Sequence, residues 1–411
     1  MPSPPSAPPP RRRSGRVARV AVISLIAGLL AALTLTVTEL ALRTSHASSI
    51  YREVRKYPPH PFLQATPVMA AGDVNPQGFR GDPITRAKPP LTFRVFTIGG
   101  STTLGVNNDY RDSYPFLLQA QLRERYPGVN IEVQNAGCAW YTSAHALVSY
   151  QIFVREYEPH LVIFFEAIND MVRSFAPPWL SVGEFKEDYS HYLGPYARML
   201  GPDAGYSAPL SSWLTVNVVR RRMGADPDPF NIRNRDNVAR LAGRLREVDD
   251  PPFRSLASYR RFYDTVIHTV QSDGHTIFTA SQPSIYRADL SPEERRLLWF
   301  APLLSADDGT YPSLAAMERG MAMYNAAARE IAGARGVPFL DFAAAVPKTP
   351  AHFIDDVHMT SRANAILAEM VADRIEAAGL VPAALRGASP PGALLADPHL
   401  ENEINAAGRQ G

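Results

Sequence analysis

Five apolar runs of strand length recur along the chain, separated by segments with helical periodicity. The runs are Phe93–Ile98, Asn130–Gln134, Leu161–Phe165, Thr276–Ala280 and Pro338–Asp341. The helical segments are Ser113–Tyr126, Ser143–Tyr157, Leu256–Val270, Ser313–Ala334 and Ser361–Ala378. Strands that alternate with helices predict an α/β fold with a parallel sheet covered on both faces. In such a sheet a functional site is expected at the carboxyl ends of the strands.

Composition favours one large domain with attachments. The chain has 411 residues, of which 45% are hydrophobic, so it has ample material for a core. A formal net charge of +2 does not favour nucleic acid or an acidic polymer as a partner. The single cysteine, Cys138, cannot form an internal disulfide and has no charged neighbour that would activate a thiol. We therefore expect a buried, unreactive Cys138, no metal site and no cofactor.

The N-terminus has the pattern of a membrane-targeting segment. An uncharged, mostly apolar stretch covers residues 20–37, which is just long enough to span a bilayer, and residues 38–42 extend it past Glu39. It is preceded by arginines at positions 11, 12, 13, 16 and 19. Positive charge on that side predicts a cytoplasmic N-terminus, and hence a single-pass inner-membrane protein with its large domain in the periplasm. A cleaved signal peptide is the alternative, because Ser45–Ala47 offers small residues at a cleavage position.

The predicted organisation has five parts. They are a basic tail at 1–19, a transmembrane signal-anchor helix at 20–42, a linker at 43–74, the main domain at 75–380 and a weakly structured tail at 381–411. Within the main domain, the periodicity loosens between about 171 and 255 into sequence that a minimal domain would not need. We predict that this insertion forms a cap over the site.

Ser101 follows the first predicted strand at a point where the backbone must turn. Gly99 and Gly100 allow a sharp turn because they carry no Cβ. A serine held clear of its neighbours on such a turn suits nucleophilic catalysis, provided that a base reaches it. The same fragment is also typical of an ordinary turn or of a phosphate-binding loop between strand and helix.

An acid and an imidazole three positions apart occur far downstream, at Asp355 and His358. An aspartate at this spacing can accept a hydrogen bond from the histidine Nδ1 and leave Nε2 free to take a serine proton. Ser101, Asp355 and His358 are therefore a candidate nucleophile, orienting carboxylate and base. Taken alone, the downstream fragment could equally be an acidic helix start or part of a metal site.

Together with the motifs between them, these fragments resemble the SGNH/GDSL hydrolase superfamily, in its membrane-anchored bacterial form. The resemblance runs from Asn75 to Ile375. Its blocks are matched, in order, by the approach segment Asn75–Gly81, the first block Gly99–Thr103, the second block Asn135–Gly137, the third block Ile163–Asp170, and the final Asp355 and His358. The resemblance implies a flavodoxin-like three-layer fold with a doubly wound parallel sheet.

The resemblance also implies the site residues. It assigns catalysis to Ser101, Asp355 and His358, and assigns the oxyanion hole to Ser101, Gly137 and Asn169. Two positions depart from the family pattern. The family usually has a second glycine five residues after the Asn of the second block, and its backbone N–H faces the oxyanion; that position is Trp140 here. The glycine of the third block is Ala167. A backbone donor survives any side chain that permits the same backbone angles, so the hole can persist with a changed shape.

Three tryptophans are candidates for the substrate pocket: Trp140, Trp179 and Trp213. Their aromatic rings suit an acyl group or a sugar ring. Trp179 and Trp213 could equally belong to the core of a small helical cap, and Trp140 could equally cover a hydrophobic patch.

We expect an extracytoplasmic serine esterase that cleaves an acyl group, acetyl first among the candidates, from a carbohydrate, lipid or small-molecule ester. One alternative is an O-acyltransferase that passes the acyl group to an envelope or exported polysaccharide. The other is a non-catalytic glycan-binding module on a decayed hydrolase scaffold, and the retention of all three triad residues counts against it. The expected partners are an acyl-ester substrate, with a glycan as one candidate, and the membrane, but no nucleic acid.

Overall fold

The computed structural model describes residues 14–44, 60, 62–66, 73–176, 180–181, 183–192, 194, 243, 245–304, 309–382 and 385. The chain divides into two compact units, and the first contributes one described element, helix α1 (Ser14–Thr44). Within α1, Ala18–Thr38 is long and apolar enough to cross a membrane, as an anchor or a signal sequence would be. Its large apolar side chains are exposed.

The described residues of the second unit contain seven strands. They are β1 (Thr92–Gly99), β2 (Asn130–Asn135), β3 (Leu161–Phe165), β4 (Arg246–Val248), β5 (Thr276–Ala280), β6 (Thr310–Pro312) and β7 (Phe339–Leu340). Five of them form a parallel sheet in the order β2-β1-β3-β5-β7, and β4 pairs with β6 separately. All five predicted sheet strands are confirmed. The order is that of a doubly wound, flavodoxin-like sheet, whose connections diverge between β1 and β3.

Helices cover both faces of this sheet. They are α2 (Ser101–Leu104), α3 (Tyr114–Arg125), α4 (Ser143–Ser149), α5 (Ile168–Arg173), α6 (Leu256–Ser272), α7 (Pro292–Arg295), α8 (Phe300–Leu303), α9 (Leu314–Ala334), α10 (Phe342–Ala345) and α11 (Ser361–Ala377). One predicted helix, Ser143–Tyr157, is α-helical only in its first half. It continues as a π turn (Tyr150–Val154) and a 3₁₀ turn (Arg155–Tyr157), in a stretch where aromatic and β-branched residues weaken the α-helical preference.

The core lies in two layers, one on each face of the sheet. Successive side chains of a strand point to opposite faces, so Phe93 and Val95 of β1 join one layer and Phe96 and Ile98 join the other. The first layer is closed by α3 and α11, and the second by α4, α6 and α9. Because both faces are covered, β3 is apolar along its whole length and apolar residues recur through the other sheet strands, which is why they stand out in the sequence. The charged exceptions, Arg94 of β1 and Glu132 of β2, form an ion pair with each other.

Close packing holds the short helix α2, which carries Ser101 directly after β1. A Cβ atom added to Gly137, in the loop after β2, would lie 2.6 Å from the backbone nitrogen of Leu104 and 2.9 Å from Thr103 Cγ2. Arg80 Nη1 donates hydrogen bonds to the carbonyl oxygens of Leu104, at 2.6 Å, and Gly105, at 3.1 Å. The turn that presents Ser101 is therefore fixed from below by Gly137 and at its far end by Arg80.

We expect Gly137→Ala to lower the free energy of unfolding by about 1–3 kcal/mol, because the backbone of α2 would have to move to admit the methyl group. Thermal unfolding of the full-length protein in detergent, followed by circular dichroism, measures the change. Gly333→Ala is the matched control, since Gly333 lies exposed in α9 with no atom within 4 Å of an added Cβ. This control should gain about 0.5–1 kcal/mol. Equal shifts of Tm in both variants would contradict the close packing at Gly137.

Candidate active site

Ser101, His358 and Asp355 come together although they are far apart in the chain. Ser101 begins α2 at the end of β1, and the other two residues lie in the loop before α11. The Oγ atom of Ser101 is 2.8 Å from His358 Nε2, and His358 Nδ1 is 2.7 Å from Asp355 Oδ2. A continuous hydrogen-bonded line therefore runs from a hydroxyl through an imidazole to a carboxylate, the arrangement that activates a serine.

Hydrogen bonds hold the Asp355 carboxylate on both of its oxygens. Oδ1 accepts from the backbone N–H groups of Val357, at 3.1 Å, and His358, at 2.9 Å. Oδ2 accepts from the indole Nε1 of Trp299 at 3.1 Å. Burial by itself would raise the pKa of Asp355, but the charge of His358 and these hydrogen bonds outweigh it, so the pKa lies below its ordinary value. Asp355 is consequently an ionised partner for the imidazole.

The environment of His358 makes it a stronger base than a free imidazole. Burial by itself would lower the pKa of His358, whereas the Asp355 carboxylate and its hydrogen bond raise it, with a further contribution from Asp356. The net effect is a pKa above 6.5. With Nδ1 facing the carboxylate, Nε2 is the nitrogen that meets the Ser101 hydroxyl.

The neighbouring carboxyl, Asp356, has different partners. It accepts hydrogen bonds from the backbone N–H of Trp299 at 2.7 Å and from the Tyr286 hydroxyl at 2.9 Å. Burial, and then the charge of Asp355, raise the pKa of Asp356 to about 7. Of the two adjacent acids, Asp355 is the one that contacts the imidazole of His358.

Asn169 lies against the turn that carries Ser101. It is in the first turn of α5, just beyond β3, and its Nδ2 donates to the carbonyl oxygen of Tyr141 at 2.8 Å. A Cβ atom added to Gly100 would be 2.5 Å from this Nδ2, so the amide directly adjoins the residue before Ser101. A side-chain donor next to the nucleophile is what an oxyanion hole requires.

The backbone N–H of Gly137 was predicted to face the oxyanion, but in the structure it has a different partner. The side chain of Asn135 folds back along its own loop, and Asn135 Oδ1 accepts the Gly137 N–H at 2.9 Å. Since that donor is already engaged and the residue packs beneath α2, the role we find for Gly137 is to admit close packing.

Trp140 keeps a backbone conformation that favours glycine. Its φ of 65° lies in the left-handed region, which is uncommon for a bulky residue. Its carbonyl oxygen accepts a hydrogen bond from Gln64 Nε2 at 2.6 Å. Its ring meets the edge of Trp299, with centroids 6.2 Å apart, and is tilted against Phe300 at 5.7 Å. We call Trp140, Trp299 and Phe300 the aromatic cluster.

A buried carboxyl, Glu166, supports Asn169 and was not among the predicted site residues. Its Oε1 accepts the backbone N–H groups of Ala167, at 3.0 Å, and Asn169, at 3.2 Å. Burial, and then the charge of Asp170, raise the pKa of Glu166 well above its ordinary value. The sequence does contain a sign of its role. Glu166 directly follows the apolar run Leu161–Phe165, and a carboxyl buried at the end of such a strand needs hydrogen-bond partners nearby.

Sequence reasoning also missed Trp299. It lies 56 residues before Asp355, so no local spacing links the two. Of the predicted pocket residues, Trp140 is placed as described above, while Trp179 and Trp213 lie outside the described residues. Cys138 is buried as predicted, and burial raises the pKa of its thiol. Within the described ranges, no group of three or more His, Cys, Asp or Glu residues is arranged to hold a metal ion.

Comparison with known proteins gives the following matches. An acetylxylan esterase from Geobacillus stearothermophilus is 16% identical, with 69% of this chain and 94% of that chain covered and a TM-score of 0.40. An alpha/beta hydrolase from the metagenome of Lake Arreo is 13% identical, with 71% and 97% covered and a TM-score of 0.40. A lipase/acylhydrolase from Enterococcus faecalis is 14% identical, with 70% and 96% covered and a TM-score of 0.39. No curated protein sequence matches the chain.

The sequence profile of the GDSL-like Lipase/Acylhydrolase family matches residues 97–366, which is more than half of the chain. The matched segment begins in β1, just before Ser101, and ends in α11, just after His358. The chain therefore belongs to the GDSL-like lipase/acylhydrolase family of hydrolases.

Proposed function

We propose that this protein is a serine esterase in which Ser101 is the nucleophile, His358 the general base and Asp355 the carboxylate that orients it. The observation that carries the proposal is the unbroken hydrogen-bonded line from Ser101 Oγ through both ring nitrogens of His358 to Asp355 Oδ2. It is supported by membership of a hydrolase family whose profile spans all three residues.

The reaction would proceed in two halves. In the first, Ser101 Oγ attacks the ester carbonyl while His358 Nε2 takes its proton, and the imidazolium then protonates the departing alcohol. In the second, His358 removes a proton from water as it attacks the acyl-serine, and the imidazolium returns that proton to Ser101 Oγ as the acyl–oxygen bond breaks and the acid leaves. The oxyanion formed in each half would be held by the backbone N–H of Ser101, which has no intrahelical partner because it opens α2, and by Asn169 Nδ2. One hydrogen of that amide bonds the Tyr141 carbonyl oxygen, and the other, which has only a long contact of 3.5 Å with Glu166 Oε2, would turn to the oxyanion.

The aromatic cluster is the feature that we expect to restrict the size of the acyl group. Trp140 precedes Tyr141, whose carbonyl oxygen holds Asn169, and Trp299 donates to Asp355, so bulky rings adjoin both sides of the triad. We propose that these rings limit the acyl group to a short one such as acetyl. The alcohol would be a carbohydrate, a lipid or a small molecule. The alternative is an acyltransferase, in which the acyl group on Ser101 passes to a polysaccharide hydroxyl instead of to water.

We also propose that α1 remains attached and holds the catalytic unit on the periplasmic side of the inner membrane. The proposal rests on the apolar segment Ala18–Thr38 and on the arginines that precede it in the sequence.

A fluorophosphonate probe should label Ser101, because only an activated serine attacks phosphorus quickly. Labelling should vanish in Ser101→Ala, and turnover of an aryl acetate should fall roughly 10³- to 10⁴-fold in His358→Ala and in Asp355→Asn. Asp356→Asn is the matched control, with an expected loss under about tenfold because Asp356 does not contact the imidazole. Unchanged labelling in Ser101→Ala, or equal losses in the two Asp→Asn variants, would contradict these assignments.

Trp140→Gly should relax the choice of acyl group, because glycine adopts φ of 65° without strain while the ring is removed. We expect kcat/KM for an aryl hexanoate, relative to the acetate, to rise about tenfold. Phe62→Ala, which removes an exposed ring, should leave that ratio unchanged. If the hexanoate-to-acetate ratio of kcat/KM is unchanged in Trp140→Gly, the aromatic cluster does not limit the size of the acyl group.

A separate measurement distinguishes hydrolysis from transfer. Release of free acid is measured with and without oligosaccharide acceptors; transfer predicts that an acceptor lowers it, and hydrolysis predicts no change.

The proposed membrane orientation can be tested separately from the chemistry. In cells with a permeabilised outer envelope, added protease should digest the domain that follows α1, while the N-terminus of the mature protein stays the encoded one. Edman sequencing or mass spectrometry of the mature chain gives the second result. A mature chain that begins near Ser48 would show that the segment is a cleaved signal peptide, and a domain protected from protease would place it in the cytoplasm.

A further inference from the structure

Trp299 connects the segment after β5 to the carboxylate of the triad. It lies directly before α8, and it is buried. Its Nε1 donates to Asp355 Oδ2 at 3.1 Å, and the same oxygen lies 2.7 Å from His358 Nδ1. The indole N–H and the imidazole therefore share one carboxylate oxygen.

We propose that Trp299 is a positioning residue for the triad, because its indole N–H fixes the Asp355 carboxylate in the orientation that receives His358. The inference rests on the proposed function, since it takes Asp355 and His358 to act on Ser101. It adds a residue outside the triad that acts through Asp355.

Trp299 is itself held at both its backbone and its ring. Asp356 Oδ2 accepts the Trp299 backbone N–H at 2.7 Å, and the Phe300 N–H lies 3.4 Å from the same carboxyl. The Trp299 ring stacks on Phe300 with centroids 4.0 Å apart, and Trp140 meets it edge-on. The two adjacent carboxyls thus hold one residue: Asp356 binds its main chain and Asp355 binds its side chain.

This contact has an electrostatic consequence for His358. A hydrogen bond donated to the ionised form of a carboxyl stabilises that form and makes the carboxylate less basic. Without the indole N–H, Asp355 would attract the proton on His358 more strongly, and the pKa of His358 would rise further. Among the residues that the structure describes, the other titratable groups that face this pair are Asp356 and Tyr286, which are hydrogen-bonded to each other.

Trp299→Phe tests the proposal because it removes the indole N–H but keeps an aromatic ring and the backbone N–H that binds Asp356. The base must be neutral to accept the serine proton, so kcat/KM falls as the pH drops through the pKa of His358. In Trp299→Phe we expect an about tenfold lower kcat/KM for an aryl acetate, and an acid limb moved up by about 0.5–1 pH unit. The midpoint of the limb does not depend on the concentration of folded enzyme, so it stays informative if the variant is less stable.

Phe300→Leu is the matched control, since it disturbs the ring stacked on Trp299 and leaves the bond to Asp355 in place. Its acid limb should not move. In an Asp355→Asn background, Trp299→Phe should cost less than about twofold, because the residue acts through Asp355. An unmoved acid limb in Trp299→Phe, or a full further loss in the Asp355→Asn background, would overturn the positioning role while leaving the esterase intact. A wild-type protein without Ser101-dependent turnover would overturn both.

Discussion

The site depends on the close approach of three loops at the carboxyl ends of β1, β2 and β3. The turn after β1 carries Ser101 and is closely packed at two glycines. An added Cβ atom at Gly100 would clash with Glu166 and Asn169, which follow β3, and one at Gly137, in the loop after β2, would clash with α2. Parallel strands end at one edge of the sheet, so their loops meet there whatever their separation in sequence. Glycine suits these points because an added Cβ atom would meet the backbone nitrogen of Leu104 at Gly137, and the side chains of Glu166 and Asn169 at Gly100.

Two adjacent acids illustrate how partners, rather than burial, decide the state of a carboxyl. Asp355 and Asp356 are both buried, yet the pKa of Asp355 is held low by His358 and its hydrogen bonds, whereas the pKa of Asp356 is raised to about 7 by burial and by the charge of Asp355. Two neighbouring charges in a poorly solvated place repel each other, so ionisation of one disfavours ionisation of the other. The acid that meets an imidazole becomes the stable anion, and its neighbour supports the chain around it.

The aromatic cluster ties the oxyanion side of the site to the acid side. Trp140 lies in the loop after β2 in a left-handed conformation, and its ring contacts Trp299, which donates to Asp355. Strained backbone of this kind costs about 1–3 kcal/mol and persists where surrounding contacts hold it. Here the contacts are the hydrogen bond from Gln64 to the Trp140 carbonyl and the rings of Trp299 and Phe300. Gln64 belongs to the segment predicted as a linker, so part of that segment supports the site.

The sequence by itself determined the sheet strands, the main helices and the residues that form the triad. Both sheet faces are buried, which favours apolar residues along each strand, and Asp355 and His358 lie within one loop, where spacing decides contact. The tertiary structure alone decided the rest. Trp299 reaches Asp355 across 56 residues, and Gln64 reaches the carbonyl oxygen of Trp140 across 76 residues. Local pattern determines what depends on neighbours along the chain, whereas hydrogen bonds between distant segments depend on how the completed core brings them together.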